Sequence, residues 1–282
     1  MEIRNLENVD FDTLLFRAFS RAFADYAINF DKEEVRSMLV RRGFNPALSF
    51  AAYDGDEIVA FTFNGIGTYN DTLTAYDTGT GTVKDYRGQG IAADIFTYSL
   101  PALRVAGVRQ YLLEVLQDNG KAISVYRRLG FETTREFYCF HRSIESIRLA
   151  DNSAKCTVAP VAVDTVRTMQ SACDFIPSWQ NSIESIERGQ GQLTCLAAMI
   201  GDAKVGYCVF DSATGDLSQI AVNAQFRRQG IGSRLLHEAA MRMVTGSIKV
   251  LNIPPDATSV IAFLCARNIP VATKQYEMIL PL

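Results

Sequence analysis

The hydrophobic and polar positions along the chain follow two periods, and these occur in the same order in each half. A 3.6-residue period predicts helices over residues 9–28 and 31–42, with Asp31 as the cap of the second helix. Alternation then predicts strands over 48–53 and 57–64 around a Tyr-Asp-Gly-Asp turn. The second half repeats the order with a helical segment over 163–188 and strands over 193–200 and 204–210.

A short sequence unit occurs once in each half. Residues 86–92 read Tyr-Arg-Gly-Gln-Gly-Ile-Ala, and residues 226–232, which lie 140 positions later, read Phe-Arg-Arg-Gln-Gly-Ile-Gly. A β-like run precedes each copy, at Thr78–Val83 and at Leu217–Val222, and an amphipathic helical pattern follows it. The chain therefore contains an internal repeat of half its length.

The repeat predicts two domains, which agrees with a length of 282 residues. We expect the first domain to span 1–143 and the second 155–282. The stretch 141–155 is polar and contains Asp-Asn-Ser, so it is the predicted linker.

Composition narrows the function. The chain is 48% hydrophobic with a net charge of −3, which is typical of a globular protein and argues against a nucleic-acid partner. No apolar run reaches the roughly 20 residues that cross a bilayer, and no secretory leader is visible, so we expect a cytoplasmic protein without a membrane partner. The six cysteines and two histidines show no metal-binding spacing, so no metal is expected.

The repeated unit has the properties of an anion site. Small residues such as Gly88 and Gly90 allow a bulky anion to approach the backbone. The first N–H groups of the following helix have no intrahelical acceptors and suit a pyrophosphate. Arg87 and Arg227 add positive charge, although a turn with a solvated arginine is the simpler alternative for one copy alone.

The first copy also fits the dinucleotide fingerprint G-x-G-x-x-A, at Gly88 to Ala93. That motif directly follows a strand, whereas four residues, Lys84-Asp85-Tyr86-Arg87, intervene here. In the second copy Arg228 stands where the first glycine belongs. Both departures argue against a nicotinamide cofactor.

Two segments resemble the GCN5-related N-acetyltransferase (GNAT) superfamily. The segment Val83–Ala92 resembles the family's motif (Q/R)-x-x-G-x-(G/A). The run from Leu112 to Phe131 resembles the strand and helix that follow it, including Asn119, Ala122 and Tyr126. The similarity covers most of residues 1–140 and, more weakly, 155–282, so the chain resembles a tandem acetyltransferase.

The resemblance implies an α/β fold with two tandem domains. Each would have a twisted, mostly antiparallel mixed sheet, splayed at its centre and flanked by helices. Acetyl-CoA, as co-substrate, would lie in the splay. The implied cofactor-binding residues are Thr80, Thr82, Val83, Arg87, Gly88, Gln89, Gly90, Ile91, Ala92 and Asn119, and more weakly Val222, Arg227, Arg228, Gln229, Gly230, Ile231 and Gly232.

The strand before the first loop is unusual, because Gly79 and Gly81 interrupt it. Glycine weakens a strand and often marks a bulge or a close approach by a ligand. The sequence therefore predicts a bulged cofactor-binding strand here, with a loose edge segment as the alternative.

Acetyl transfer to an amine needs two groups. One donates a proton to the thiolate that leaves, and the other accepts a proton from the amine. Tyr126 matches the position of the family's usual acid, although it also fits an ordinary core tyrosine. Glu114 alternates with Leu113 and Val115 on its strand and is the candidate base. It could equally be a structural group or a contact for the substrate ammonium.

The acceptor is expected to be a primary amine of a small molecule or a peptide. The candidate groups in its site are Asp25, Tyr26, Asp77 and Tyr69, with the helices at 9–42 and the hairpin 61–72 as walls. The second copy has Leu264 opposite Tyr126, so it could hold CoA but lacks the usual acid. The alternative function is a non-catalytic acyl-CoA sensor or interaction protein.

Overall fold

The computed structural model describes residues 1–25, 31–149 and 154–282. They form two compact units that do not follow the repeat boundaries. The first unit contains residues 1–134 together with 277–282, and the second contains 135–276. Residues 135–143, which the sequence assigned to the first domain, thus belong to the second unit, and the end of the chain belongs to the first.

The elements occur in the same order in both halves of the chain. The first half forms β1 (Glu2–Asn5), α1 (Phe16–Ala22), α2 (Lys32–Arg42), β2 (Phe50–Asp54), β3 (Glu57–Tyr69), β4 (Thr72–Thr82), α3 (Ile91–Val105), β5 (Gln110–Leu116), α4 (Gly120–Arg128) and β6 (Glu132–Ser143). The second half forms β7 (Thr157–Pro160), α5 (Val163–Thr168), α6 (Ile183–Arg188), β8 (Leu193–Ile200), β9 (Ala203–Asp211), β10 (Leu217–Val222), α7 (Ile231–Ala240), β11 (Ser247–Ile253), α8 (Thr258–Ala266) and β12 (Val271–Pro281).

The sheet of the first unit is mixed. Strands β1 to β4 pair in sequence order, each antiparallel to the next. Strand β5 is parallel to β4, and the pairing covers Thr74–Tyr76 with Gln110–Leu112. At the end of the chain, the Leu282 N–H donates to the Arg109 carbonyl at 2.8 Å. This ties the C-terminal residues to the start of β5.

Local sequence explains why α2 begins and ends where it does. The Asp31 carboxylate accepts from the Glu34 N–H, and the Glu34 carboxylate accepts from the Asp31 N–H, both at 2.8 Å. This is a capping box, which satisfies two orphan donors of the helix. Gly43 ends the helix at φ 80°. The predicted cap at Asp31 is confirmed.

Aromatic side chains fill one core of the first unit, between α1 and the sheet. Phe61 and Phe63 stack with their ring centroids 4.2 Å apart, and Phe19 of α1 packs on Phe61 at 6.2 Å. All three are buried. The backbone of β4 lies close to this core at Gly81. A larger residue would not fit there, because a Cβ atom would lie 2.7 Å from Phe61 and 2.9 Å from the Ala22 Cβ.

The second unit contains an antiparallel sheet in the order β10-β9-β8-β7. Helix α7 covers it with Leu235, Leu236 and Ala239, all buried. Strand β11 pairs antiparallel with β6, from Ser247 opposite Ser143 to Ile253 opposite Tyr138. The predicted mixed α/β fold with flanking helices is therefore present.

Two predicted helices are shorter than expected. The first, predicted over 9–28, consists of a π-helical turn at Phe11–Leu15 and α1, while residues 26–30 lie outside the described part of the chain. The second, predicted over 163–188, is interrupted between α5 and α6. Pro177 disfavours helix at the residue before it, and Ser182 starts α6 by accepting from the Ser185 N–H at 3.2 Å.

The central hairpin of the first unit is longer than predicted. Strand β3 continues to Tyr69 and β4 begins at Thr72, because Asn70 and Asp71 both adopt positive φ and form a tight two-residue turn. The segment between 65 and 77 contains two Gly, three Thr and two Asp, and it therefore lacks the apolar alternation that reveals a strand. The predicted linker also starts too early, since 141–143 belong to β6.

Candidate functional site

A cavity opens in the first unit where the pairing of β4 with β5 ends. Its volume is about 190 Å³. Its walls come from β3, β4, β5, the first turns of α3, and α4 with the residues that follow it. The lining residues are Thr62, Asp77, Thr80, Ala92, Ala93, Phe96, Tyr111, Leu113, Ala122, Val125, Tyr126, Leu129 and Phe131. Four residues predicted from the sequence are thereby brought together: Asp77, Thr80, Ala92 and Tyr126.

Aromatic packing holds Tyr126 in the wall of this cavity. Its ring meets Phe131 edge-on, with the centroids 5.6 Å apart, and Phe131 meets Tyr111 in the same way at 5.7 Å. Phe96 completes the group, 5.1 Å from Tyr111. These contacts fix the direction of the phenol, so Tyr126 is a positioned side chain of the cavity.

A β-bulge in β4 shapes the opposite wall. Asn64 pairs with Asp77 and Phe63 with Gly79, which leaves Thr78 as an extra residue. The predicted bulge in this strand is confirmed. Because an extra residue changes the alternation of side chains, Asp77 and Thr80 both line the cavity.

Asp77 is a carboxylic acid in a largely apolar cavity. The Thr80 hydroxyl donates to its Oδ2 at 2.9 Å. Burial raises the pKa of Asp77 to about 6, while hydrogen bonds from Thr80 and the Gly79 backbone lower it. Burial and the nearby Asp77 carboxylate likewise hold the pKa of Tyr111 well above its usual value. The cavity thus contains one acid that titrates near neutral pH.

The glycine loop of the first unit leaves its outer surface open. Gly88 and Gly90 have φ of 77° and 81°, and a Cβ atom at either position would have no neighbour within 4 Å. Gly90 is the N-cap residue of α3, and no side chain caps that end of the helix. Ile91 points into the core instead, and the Gln89 amide donates to the Asp85 carbonyl at 3.3 Å.

Arg87 is held by the protein itself. Its guanidinium donates to the Thr82 carbonyl at 3.0 Å, to the Ala22 carbonyl at 2.8 Å and to the Asp25 carboxylate at 3.1 Å. Lys84 approaches the same carboxylate at 3.7 Å. Arg87 therefore ties the loop to the end of the α1 segment, and Asp25, one of the predicted acceptor-site groups, is occupied by this interaction.

Glu114 lies on the other face of β5. Tyr111 and Leu113 line the cavity, and alternation along the strand turns Glu114 away from it. There the Tyr76 hydroxyl donates to the Glu114 carboxylate at 3.1 Å. Burial and the Glu114 charge keep the pKa of Tyr76 well above its usual value, so Tyr76 remains a donor.

Most of the other site residues predicted from the sequence take part in structural contacts. The Asn119 side chain caps α4 by accepting from the Ala122 N–H at 3.2 Å, and Val83 is buried. Tyr69 is buried and its hydroxyl donates to Glu277 at 3.5 Å. Tyr26 lies outside the described residues.

The second unit contains a larger cavity of about 460 Å³ at the corresponding place. A parallel bridge between Asp216 and Lys249 joins the two segments beside it, as β4 and β5 are joined in the first unit. Most predicted residues of the second loop line this cavity. They are Val222, Arg227, Arg228, Gly230, Ile231 and Gly232, whereas the Gln229 amide donates to the Gln225 carbonyl.

The arginine arrangement is repeated in the second unit. Arg227 donates to the Val222 carbonyl at 2.8 Å, to the Ala172 carbonyl at 3.2 Å and to the Asp174 carboxylate at 2.7 Å. Arg228 has a φ of 63° where the first copy has Gly88. A positive φ is strained for a residue with a side chain, and here it brings a cation to the cavity wall.

The catalytic candidates of the first unit have no counterparts in the second. Leu264, which aligns with Tyr126, is fully buried. The same alignment places Asn252 opposite Glu114, and Asn252 is buried with its amide donating to the Ser178 hydroxyl at 3.2 Å. Neither side chain can exchange a proton near neutral pH.

Sequence reasoning missed two features of the site. The pairing of each loop arginine with an upstream aspartate joins residues far apart in the chain, such as Arg227 and Asp174. The inward direction of Asp77 depends on the bulge. The available signal was the repeated Asp upstream of each loop, at Asp25 and Asp174.

Two kinds of site are absent from the described residues. In the ranges 1–25, 31–149 and 154–282, no group of three or more His, Cys, Asp and Glu side chains could hold a metal ion. Within the same part of the chain, no helix has both the length and the apolar character needed to span a membrane.

Comparison with known families agrees with this architecture. The family model "Acetyltransferase (GNAT) family" matches residues 8–131, and the model "Acetyltransferase (GNAT) domain" matches residues 191–263. Together they match more than half of the chain. The chain therefore belongs to the GNAT acetyltransferase family, as a member with two tandem domains.

Two similar proteins illustrate the relationship. N-alpha-acetyltransferase 30 of Schizosaccharomyces pombe is 34% identical over 97 residues, 34% of this chain and 65% of that protein. N-alpha-acetyltransferase MAK3 of Arabidopsis thaliana is 29% identical over 105 residues, 37% of this chain and 55% of its own length. The chain thus spans less than two thirds of either relative.

The fold of the whole chain also has a solved counterpart. A tandem GNAT protein from the clavulanic acid biosynthesis pathway has a TM-score of 0.72 and 13% identity, over 99% of this chain and 98% of that one. At this level of identity the similarity concerns the fold.

Proposed function

We propose that the first unit transfers an acetyl group from acetyl-CoA to a primary amine by direct attack, with Tyr126 as the general acid. The observation that carries this proposal is the cavity at the end of the β4–β5 pairing. It combines a positioned tyrosine, the strand backbone at Thr80 and the start of a helix in one space.

The residues present fit acetyl-CoA. Helix α3 is 15 residues long and its N-terminus carries no side-chain cap, so its first N–H groups suit the pyrophosphate. Gly88 and Gly90 leave the approach open. Arg87 acts on this site indirectly, because its contacts hold the loop in place. The pantetheine arm would follow the backbone of Thr80–Thr82.

The reaction needs three things from the protein. The amine must be neutral when it attacks, since a primary alkyl ammonium has a pKa near 10.4 and no free electron pair. Backbone N–H groups near Thr80–Thr82 would stabilise the charge that develops on the carbonyl oxygen. Tyr126 would donate its proton to the thiolate that leaves, because a thiol is the better leaving group.

For Glu114 we propose the role of ammonium contact, one of the roles that the sequence left open. Its carboxylate lies on the face of β5 opposite the cavity, where it accepts from Tyr76. A carboxylate held by a permanent donor suits binding of a cation on the acceptor's side of the sheet. The interaction would guide the amine toward the gap between β4 and β5.

As the acceptor we propose the α-amino group of a peptide. The similar proteins described above are named N-alpha-acetyltransferases, and their similarity covers about a third of this chain. An α-amine has a pKa near 7.7–8.0, so a useful fraction is neutral at physiological pH. A small-molecule amine is the alternative within the same chemistry.

The second unit is proposed to bind CoA without transferring the acyl group. Its cavity is lined by residues of the loop from Arg227 to Gly232, but Leu264 stands where the proposed acid, Tyr126, lies in the first unit. In this respect the second unit follows the alternative function, that of an acyl-CoA sensor.

The test is thiol release from acetyl-CoA with a panel of peptides and small amines, using the full chain. We expect turnover with at least one peptide N-terminus. A chain that is stabilised by acetyl-CoA but shows no turnover with any amine would support the sensor function for both units and contradict the transferase.

A further inference from the structure

Asp77 has no assigned role in the reaction as described so far. Its Oδ2 accepts from Thr80, whereas its Oδ1 is buried and has no hydrogen-bond partner within the described part of the chain. A buried carboxylate oxygen without a donor is costly, because nothing replaces the water it has lost. Because this oxygen lies in the wall of a cavity, we expect a molecule bound in the cavity to donate the missing hydrogen bond.

Charged and titratable groups reach Asp77 from several elements. Arg42 of α2 donates to the Thr78 carbonyl at 2.9 Å and exerts an attractive charge on Asp77. Tyr111 of β5 and Tyr126 of α4 line the same cavity. Tyr76 precedes Asp77 on β4, and its pKa is raised partly by the Asp77 charge. Burial outweighs the attraction of Arg42, so a neutral carboxylic acid is accessible to Asp77 near pH 6.

We propose that Asp77 is the general base that removes the proton of the attacking amine. The proposal rests on the transferase function stated above. It follows from the position of Asp77 in the same cavity as Tyr126, from its unpartnered Oδ1 and from the bulge that directs it inward.

The proton balance is complete with these two side chains. The neutral amine uses its electron pair to form the C–N bond to the acetyl carbon, and its surplus proton passes to Asp77 Oδ1. The C–S bond breaks, and the sulfur receives the Tyr126 proton. After the products leave, Asp77 loses its proton to solvent and Tyr126 regains one, so both groups are restored.

Asp77 fits this task better than Glu114 does. Glu114 is on the opposite face of β5 and already accepts from Tyr76. Asp77 lies in the cavity, and Thr80 holds its other oxygen. The pKa of about 6 leaves Asp77 ionised at physiological pH, and a general base works best when its pKa lies near the pH at which the enzyme operates.

The main experiment compares steady-state kinetics of the wild-type chain, Asp77→Asn and Asp56→Asn with the best amine of the panel. Asp56 is an exposed aspartate in the turn between β2 and β3, so it controls for loss of charge. We expect Asp77→Asn to lower kcat by at least about 100-fold with little change in KM for acetyl-CoA. Asp56→Asn should behave as the wild type.

The pH profile supplies a readout that a structural role would not move. In the wild type, kcat/KM calculated for the neutral form of the amine should fall tenfold per pH unit below about pH 6, as Asp77 becomes protonated. Asp77→Asn should lack this acidic limb. Thr80→Val removes a hydrogen bond that lowers the pKa of Asp77, so it should move the limb to higher pH. That variant keeps the test decisive if Asp77→Asn folds poorly.

A spectroscopic titration measures the pKa of Asp77 directly and does not require turnover. With ¹³C-labelled aspartate carboxyls, one resonance should titrate near pH 6 in the free protein and disappear in Asp77→Asn. Wild-type kcat in Asp77→Asn, or a higher KM for acetyl-CoA with kcat retained, would overturn the base. If the wild type turned over no amine at all, the transferase function itself would fail, and the role of Asp77 with it.

Discussion

The Thr80 hydroxyl donates a 2.9 Å hydrogen bond to the Asp77 carboxylate, and both side chains face the same cavity although they are three residues apart on one strand. The bulge at Thr78 makes this possible. Because of the bulge, Asp77 and Thr80 both face the cavity in which acetyl-CoA is proposed to bind. The burial of Asp77 there should make the stability of the protein depend on pH.

Asp77→Asn is expected to stabilise the protein at neutral and alkaline pH. The folded-state pKa of about 6 lies above the usual value of 3.8, so the folded chain binds its proton more tightly than the unfolded chain does. The stability contributed by Asp77 is therefore complete below pH 3.8 and is lost as the pH rises through 6. The resulting penalty at pH 8 is at most about 3 kcal/mol.

Thermal unfolding of the wild type and Asp77→Asn between pH 4 and 8 tests this linkage. The Tm difference should favour the variant at pH 8 and shrink as the pH falls through 6. Asp56→Asn, in an exposed turn, should show no such pH dependence. A Tm difference that is constant across this range would contradict the raised pKa.

Tyr126→Phe is expected to slow acetyl transfer by about 100- to 1,000-fold in kcat, since it removes the proposed acid. The ring contact with Phe131 does not need the hydroxyl, so the Tm should change little. Tyr98→Phe is the matched control, because Tyr98 is 55% exposed and also meets a phenylalanine edge-on, Phe50 at 5.8 Å. Equal kcat values in the two variants would remove Tyr126 from the mechanism.

Two glycines of β4 should respond differently to alanine. At Gly81 a methyl group would lie 2.7 Å from Phe61 and 2.9 Å from Ala22, so Gly81→Ala should cost about 1–3 kcal/mol through overpacking. At Gly79 the nearest atom, Phe19 Cε2, is 4.0 Å away, so Gly79→Ala should cost less. Urea denaturation at pH 7 measures both values. The opposite order would show that the helix α1 contact does not determine the need for glycine.

Blocking each cavity separately should distinguish the cavity that only binds acetyl-CoA from the cavity that also catalyses transfer. Ala92 lines the first cavity and Gly232 the second, each near the start of the helix after the loop. Ala92→Leu should abolish thiol release, and Gly232→Leu should retain it. Isothermal titration with acetyl-CoA should give two sites per chain in the wild type and one in each variant. Wild-type stoichiometry in Gly232→Leu would exclude a CoA site in the second unit.

The predictable part of the fold rests on local interactions. The cap at Asp31 depends on Glu34, three residues away, and the glycine loops depend on the conformation of Gly90 and Gly230 at the start of a helix. Such signals are complete within a few residues, so they can be recognised in one sequence. The repeat at 140 residues added the number of domains, and the motifs at Val83–Ala92 and Leu112–Phe131 indicated the family.

Longer-range relationships were not predictable in the same way. Arg87 meets Asp25 across 62 positions, and Arg227 meets Asp174 across 53. These pairs depend on how the helical segments pack in the tertiary structure. Local sequence patterns do not predict that packing. The sequence therefore indicated the loop arginines as phosphate ligands, whereas the structure shows them holding their loops to the preceding segment.

The sequence by itself determined the duplication and the two glycine-rich loops, because each follows from residue type and short spacing, and its family resemblance suggested Tyr126 for the acid role. The tertiary structure decided which side chains share a space. A single extra residue at Thr78 changes the face on which Asp77 lies, and alternation along β5 puts Glu114 on the other face from Tyr111. It also decided that residues 277–282 complete the first unit, since strand pairing joins chain segments without regard to their distance in sequence.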